Sequence, residues 1–143
     1  MNSALNQTPK YRTAILQYNI NKSGPTTYSL LSHPDSEKLA ILAIQEQHYL
    51  PRTKEPLTHQ SWTIIEAPRY ENNQPRAAIY VNNRILSADA YQSIHYPSSD
   101  IIIIEIKVEN NYPMLLVNIY NTKGTSLVND LAEFLEPHLR LHR

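Results

Sequence analysis

Residues 38–45, KLAILAIQ, constrain this chain more than any other segment. The run is almost continuously apolar, without the alternation of a half-solvated strand, and reads as a strand buried on both faces. Such a strand must lie inside a sheet that is covered above and below. The run ends abruptly in Gln45-Glu46, so a polar pair closes a buried element at a sheet edge.

The rest of the chain supplies partners for that strand. Residues 13–20 (TAILQYNI) read as a strand, and residues 26–32 (TTYSLLS) as a short helix. Pro34 stops the helix, because the residue before a proline is pushed out of the α region. A polar, proline-containing loop covers residues 47–60. Strands follow at 61–67 (SWTIIEA) and 76–81 (RAAIYV), separated by RYENNQP. Asn82-Asn83 turns the chain into Arg84-Ile85-Leu86, asparagine tolerating positive φ better than most residues. Residues 100–108 and 113–120 form the clearest hairpin, IIIIEIKV–ENNY–PMLLVNIY. After it the period changes. Leu127, Leu131, Leu135 and Leu139 recur every fourth position, with Phe134 and His138 beside them, as one apolar stripe of a helix that Ser126 is placed to cap. The order β–α–β, meander, β–α predicts two facing sheets with peripheral helices, within a single domain spanning residues 1–143. There is no internal repeat and no low-complexity linker.

Composition narrows the possible functions. A chain of 143 residues, 41% hydrophobic and 18% charged, is suited to one globular core. It has no cysteine, which excludes disulfides, thiolate metal sites and a cysteine nucleophile. Two glycines are too few for a phosphate-cradling loop, and neither dinucleotide nor P-loop fingerprints occur. Thirteen basic residues balance thirteen acidic ones, so bulk charge does not favour nucleic acid. A bound cation would add charge that this count omits. No apolar run approaches the roughly 18 residues that cross a bilayer, and the opening MNSALNQTPKYR has no apolar stretch of a secretory signal, so no membrane association is expected.

Three strand ends carry chemistry. The first strand closes in Gln17-Tyr18-Asn19-Ile20-Asn21, the second in Gln45-Glu46, and the last in Asn118-Ile119-Tyr120-Asn121. Asn19 offers a neutral oxygen and Glu46 a carboxylate, the start of an oxygen-only magnesium site in which the ion keeps waters and substrate oxygens. Tyr120 can donate to a phosphate oxygen, and Asn118 can hold neighbouring polar groups. Taken singly, Asn19 is an ordinary turn residue, Glu46 a solvated loop carboxylate and Tyr120 a packing residue with its hydroxyl at the rim. Their order, each closing an apolar strand, is what favours the chemical reading.

YNIN, LAIQE and VNIYN, in that order, resemble the first three motifs of the endonuclease/exonuclease/phosphatase (DNase I-like) superfamily. RAAIYVNN and YPSSDI resemble the endonuclease domains of fungal-type non-LTR retrotransposons, and the likeness runs from about Ile15 to Leu139. The resemblance implies an α/β two-sheet sandwich that cleaves phosphodiester bonds in DNA with Mg2+, or Mn2+ in its place. Glu46 would then bind the metal with Asn19 as its partner, Tyr120 would contact the scissile phosphate, and Asn118 would support the site. Arg76 and Asp100 fall in matching segments with no role assigned, and Asp100 equally reads as a cap or turn before its strand. The superfamily's later Gly-Asp-x-Asn and Ser-Asp-His motifs are absent. The six histidines (His33, His48, His59, His95, His138 and His142) lie in no such context; His48 reads as a loop residue able to line the cleft, and His138 as a structural residue. The resemblance therefore implies an N-terminal fragment, incomplete at its C-terminus and inactive alone. Its partners would be DNA, the missing half of the domain and a downstream reverse transcriptase, in the nucleus if the target is chromosomal. The alternatives are a non-catalytic remnant or interaction domain, and a phosphatase or nuclease of another branch of the same fold.

Overall fold

A computed structural model describes residues 14–109, 111–121 and 127–140. Thr13, Asn110, Gly124, Ser126 and His142 lie outside them, and with them the expected cap of the last helix.

The buried run forms β2 (Leu39–Gln45), at whose two sides lie β1 (Ala14–Asn19), parallel to it, and β4 (Ala77–Asn82), antiparallel. β3 (Trp62–Glu66) pairs antiparallel with β4 and completes a four-stranded sheet in the order β1-β2-β4-β3. A parallel pair needs a crossover, here α1 (Gly24–Ser32) and a 3-10 turn over Pro34–Lys38. α1 begins two residues before the expected start, because Ser23 caps it and Pro25 fits its first turn: the Ser23 hydroxyl accepts from the Thr26 N–H at 3.2 Å. It ends at Ser32, with His33 extended before Pro34 as the proline rule requires.

A second, antiparallel sheet has the order β5-β6-β7, with β5 at Tyr91–Ile94, β6 at Ile101–Ile106 and β7 at Met114–Ile119. The hairpin β6–β7 is the one expected. β5 is not legible in the sequence; its central Gln92 and Ser93 are both exposed, so it has no period-2 pattern.

The sheets face each other. Ile41, Ile79 and Val81 from the first pack against Ile102, Ile104 and Ile106 from the second. On the outer side of the first sheet, Leu42, Ile44 and Tyr80 meet Leu31 of α1 and Trp62. On the outer side of the second, Ile101 and Ile103 meet Leu131 of α2 (Leu127–Arg140). Both unbroken apolar runs are thereby explained, since β2 and β6 are each covered on two faces. Full burial of each such aliphatic side chain contributes roughly 1.5–3 kcal/mol.

The leucine stripe of α2 holds only in part. Leu131 is buried and Leu127, Phe134 and Leu135 are half-buried, Phe134 meeting Tyr96 edge-on at 5.0 Å, but Leu139 is 55% exposed. A strict four-residue repeat drifts by about 40° per step on a helix of 3.6 residues per turn, and by Leu139 it has turned off the sheet. His138 stacks at a tilt on Phe134, a packing role. Among the described residues no helix is long and apolar enough to cross a membrane.

Two outcomes are expected. Leu131→Ala should lower stability by about 2–5 kcal/mol, whereas Leu139→Ala should change it by no more than about 0.5 kcal/mol, as read from denaturant unfolding. Burial raises the Tyr80 phenol above its ordinary value of 10.0. The stability this contributes is complete below about pH 10 and is lost as pH climbs toward the folded-state value. The denaturation midpoint should therefore fall in alkali, and Tyr80→Phe should flatten that fall.

Candidate functional site

β1, β2 and β7 end, and β4 and β6 begin, along one rim. The backbone stitches these segments together there: the N–H of Glu46 donates to the carbonyl of Arg76, that of Arg76 to Ser99, and that of Tyr120 to Asp100, each at 2.8 Å. Side chains at these positions are thus placed by backbone pairing rather than by free loops.

Glu46 leaves β2 with φ 53°, in the left-handed region, and its carbonyl accepts from the Lys22 N–H at 2.8 Å. The Asn19 amide nitrogen donates to Glu46 Oε1 at 3.2 Å. Asn19 Oδ1, the oxygen expected to face a metal, accepts from the Asn21 N–H at 2.9 Å, a bond that uses one of its two lone pairs. In this arrangement Asn19 holds the carboxylate, and Glu46 is the group with charge to offer a cation. Among the described residues no three His, Asp or Glu side chains gather to hold a metal by themselves. A magnesium ion fits here only as a hydrated ion that takes Glu46 and further oxygens from waters and substrate.

Arg76 connects this pair to Tyr120. Its guanidinium makes two bonds of 2.7 Å to the Asp100 carboxylate and lies 4.5 Å from the centroid of the Tyr120 ring. The bond to Asp100 holds Arg76 charged above its ordinary range, and Tyr120 and Glu46 act on it in the same sense. The contact over the ring fixes the plane of Tyr120.

Asn118 is buried and reaches across to the other sheet, donating to the carbonyls of Ile44 (2.9 Å) and Ala78 (2.8 Å). Its Oδ1 accepts from the Gln45 amide, whose own oxygen accepts from Gln17. Three amides therefore run from the β1 edge into the space between the sheets.

Beside the rim is a cleft of about 450 Å³, bounded by the loops after Glu46 and before Arg76. Under it Tyr49 donates to Glu66 at 2.6 Å, and burial with this bond raises its phenol well above the ordinary range. His48 lines the cleft, but its ring is confined. Nδ1 is 3.0 Å from the Lys22 carbonyl, and a Cβ on Gly24 would come within 3.0 Å of Nε2, so Gly24 is the residue that leaves room for the ring.

The structure thus brings Asn19, Glu46, Arg76, Asp100 and Tyr120 to one rim and places Asn118 behind it. Sequence reading left Arg76 and Asp100 without a role and did not single out the Gln17–Gln45 link. The available signal was a glutamine pair on neighbouring apolar strands, and an arginine and an aspartate each one residue ahead of a strand.

No protein-family model matches the sequence, and no curated protein matches it. Among solved structures, the endonuclease domain of TRAS1, a telomere-specific non-LTR retrotransposon, is similar, with a TM-score of 0.60 and 19% identity over 88% of this chain. The match covers 54% of that domain, so the chain spans about half its length. The fold is that of the DNase I-like α/β sandwich.

Removing the guanidinium takes two charge-assisted bonds from the largely buried Asp100 carboxylate. Arg76→Ala should cost about 1–2 kcal/mol, below the full value of a charged hydrogen bond because the Arg76 side chain is 41% exposed. It should also release the Tyr120 ring, seen as averaged ring resonances in NMR. Arg76→Lys should recover only part of both, since lysine lacks the planar fork.

Proposed function

We propose that this chain forms the N-terminal part of a metal-dependent phosphodiesterase that nicks DNA, the endonuclease domain of a retrotransposon polyprotein. The observation that carries this reading is the convergence of Asn19, Glu46, Arg76 and Tyr120 on one rim of a DNase I-like sandwich. Glu46 would hold Mg2+, or Mn2+, with Asn19 fixing the carboxylate rotamer. Once bound, the metal would stabilise negative charge gathering on the phosphate oxygens. The Tyr120 hydroxyl would donate to a non-bridging phosphate oxygen, its ring kept in plane by Arg76. Asn118 acts one step removed, holding the strand ends that carry these groups.

In this reading Glu46 is taken up by the cation, and the Gly-Asp-x-Asn and Ser-Asp-His motifs that would orient an attacking water are absent from the sequence. The reading assigns that task to the part of such a domain that this chain does not span, and a reverse transcriptase to a downstream region. A positioned base contributes about 10²–10⁴-fold in rate. A second reading, a non-catalytic association domain, draws on β1, an uncharged edge strand with Ile15, Leu16 and Tyr18 exposed.

Supercoiled-plasmid nicking separates the readings. The 143-residue chain with Mg2+ should nick barely above background. A version extended by a segment bearing Gly-Asp-x-Asn and Ser-Asp-His motifs should nick in a metal-dependent way, and Glu46→Ala in that version should abolish it. Robust nicking by the short chain that survives Glu46→Ala overturns the site. An extended chain that folds, binds no DNA and never nicks favours the association domain.

A further inference from the structure

We infer that the cleft beside Glu46 is a second anion-binding subsite, in which Lys22 and Lys54 hold a phosphate of the DNA strand next to the one being cleaved. The inference rests on the nuclease reading and adds where the flanking strand lies. Three cations, Lys22, Lys54 and Arg76, line this cleft against a single carboxylate, Glu46. The chain is neutral overall, and with Arg76 set against Asp100 the two lysines outnumber Glu46 on this lining, an excess that a cleft concentrates. Arg76 is engaged by Asp100, but neither lysine has a carboxylate partner among the described residues.

The backbone around the cleft is unusual too. Six described non-glycine residues have positive φ: Asn21, Lys22, Glu46, Lys54, Glu71 and Asn72. Lys22, Glu46 and Lys54 line the cleft, Asn21 adjoins Lys22, and Glu71 and Asn72 lead directly into Asn73 and Gln74 on its wall. Left-handed backbone is unfavourable for lysine and glutamate, and its concentration around one cleft marks a surface shaped for contact. At the cleft Gln47 is 2% exposed. Its Nε2 donates to Tyr49 and Glu66, which ties this part of the cleft wall to β3, while its Oε1 is buried with no partner among the described residues. A volume of about 450 Å³ admits one nucleotide unit of a strand.

The test is the salt dependence of DNA binding by the 143-residue chain, followed by fluorescence anisotropy of a labelled strand. Lys22→Gln and Lys54→Gln should each weaken binding and reduce the slope of log K against log salt by about 0.7–0.9, the value of one lost phosphate contact. Lys107→Gln, exposed just past the far end of β6, should leave the slope unchanged, and Lys22→Arg should retain it. Thermal melts establish that each variant is folded. Binding with an unaltered slope in both cleft variants overturns the subsite and leaves the nuclease reading standing. No DNA binding even at low salt brings down both.

Discussion

The ion pair between Arg76 and Asp100 joins the two sheets where the chemistry is expected to sit. Arg76 directly precedes β4 of one sheet and Asp100 directly precedes β6 of the other. Apolar packing brings the sheets together without direction, because burial rewards area and not register. The directional information comes from polar groups at the rim. The bidentate pair sets one angle between the sheets, and the Asn118 amide, bonded to carbonyls of both β2 and β4, sets a second. With those two constraints in place, Glu46 and Tyr120, which belong to different sheets, have a defined relation.

Much of the fold was legible because its two central strands are buried on both faces, and an unbroken run such as LAILAI or IIII has few other uses. The short edge strand β5 was hidden, since solvent on both sides of Gln92 and Ser93 removes the alternation that marks a strand. The end of α2 was misread for a geometric reason, the drift of a fourfold repeat around the helix. At the site, Asn19, Glu46 and Tyr120 stood out because each interrupts an apolar strand at its end. Arg76 and Asp100 did not, because polar residues ahead of a strand are ordinary and only the tertiary pairing gives them meaning. Nor could sequence foresee that the Asn19 oxygen would turn toward Asn21, since that depends on the left-handed turn at Asn21 and Lys22.

Counted over the whole chain, neutral charge weighs against a nucleic-acid partner. The structure changes the scale on which charge should be counted. Acidic groups such as Asp35, Glu37 and Glu105 lie outside the cleft, while lysines from two separate loops converge in it. Such a protein would meet a polyanion with one face only, and its orientation on arrival would be set before any specific contact forms.

The outer edge of β1, which has no strand partner among the described residues, also bears on how the rim could be completed. Neighbouring strands lie about 4.8 Å apart, so any strand that pairs with β1 brings a residue of its own alongside Asn19, within one ladder spacing. β1 carries no charge and no proline that would oppose such pairing. A new partner would need no separate machinery to find the site, because adding one rung to the sheet delivers its side chain to the neighbourhood of Glu46. Edge pairing and completion of the candidate rim would, in this fold, be the same geometric event.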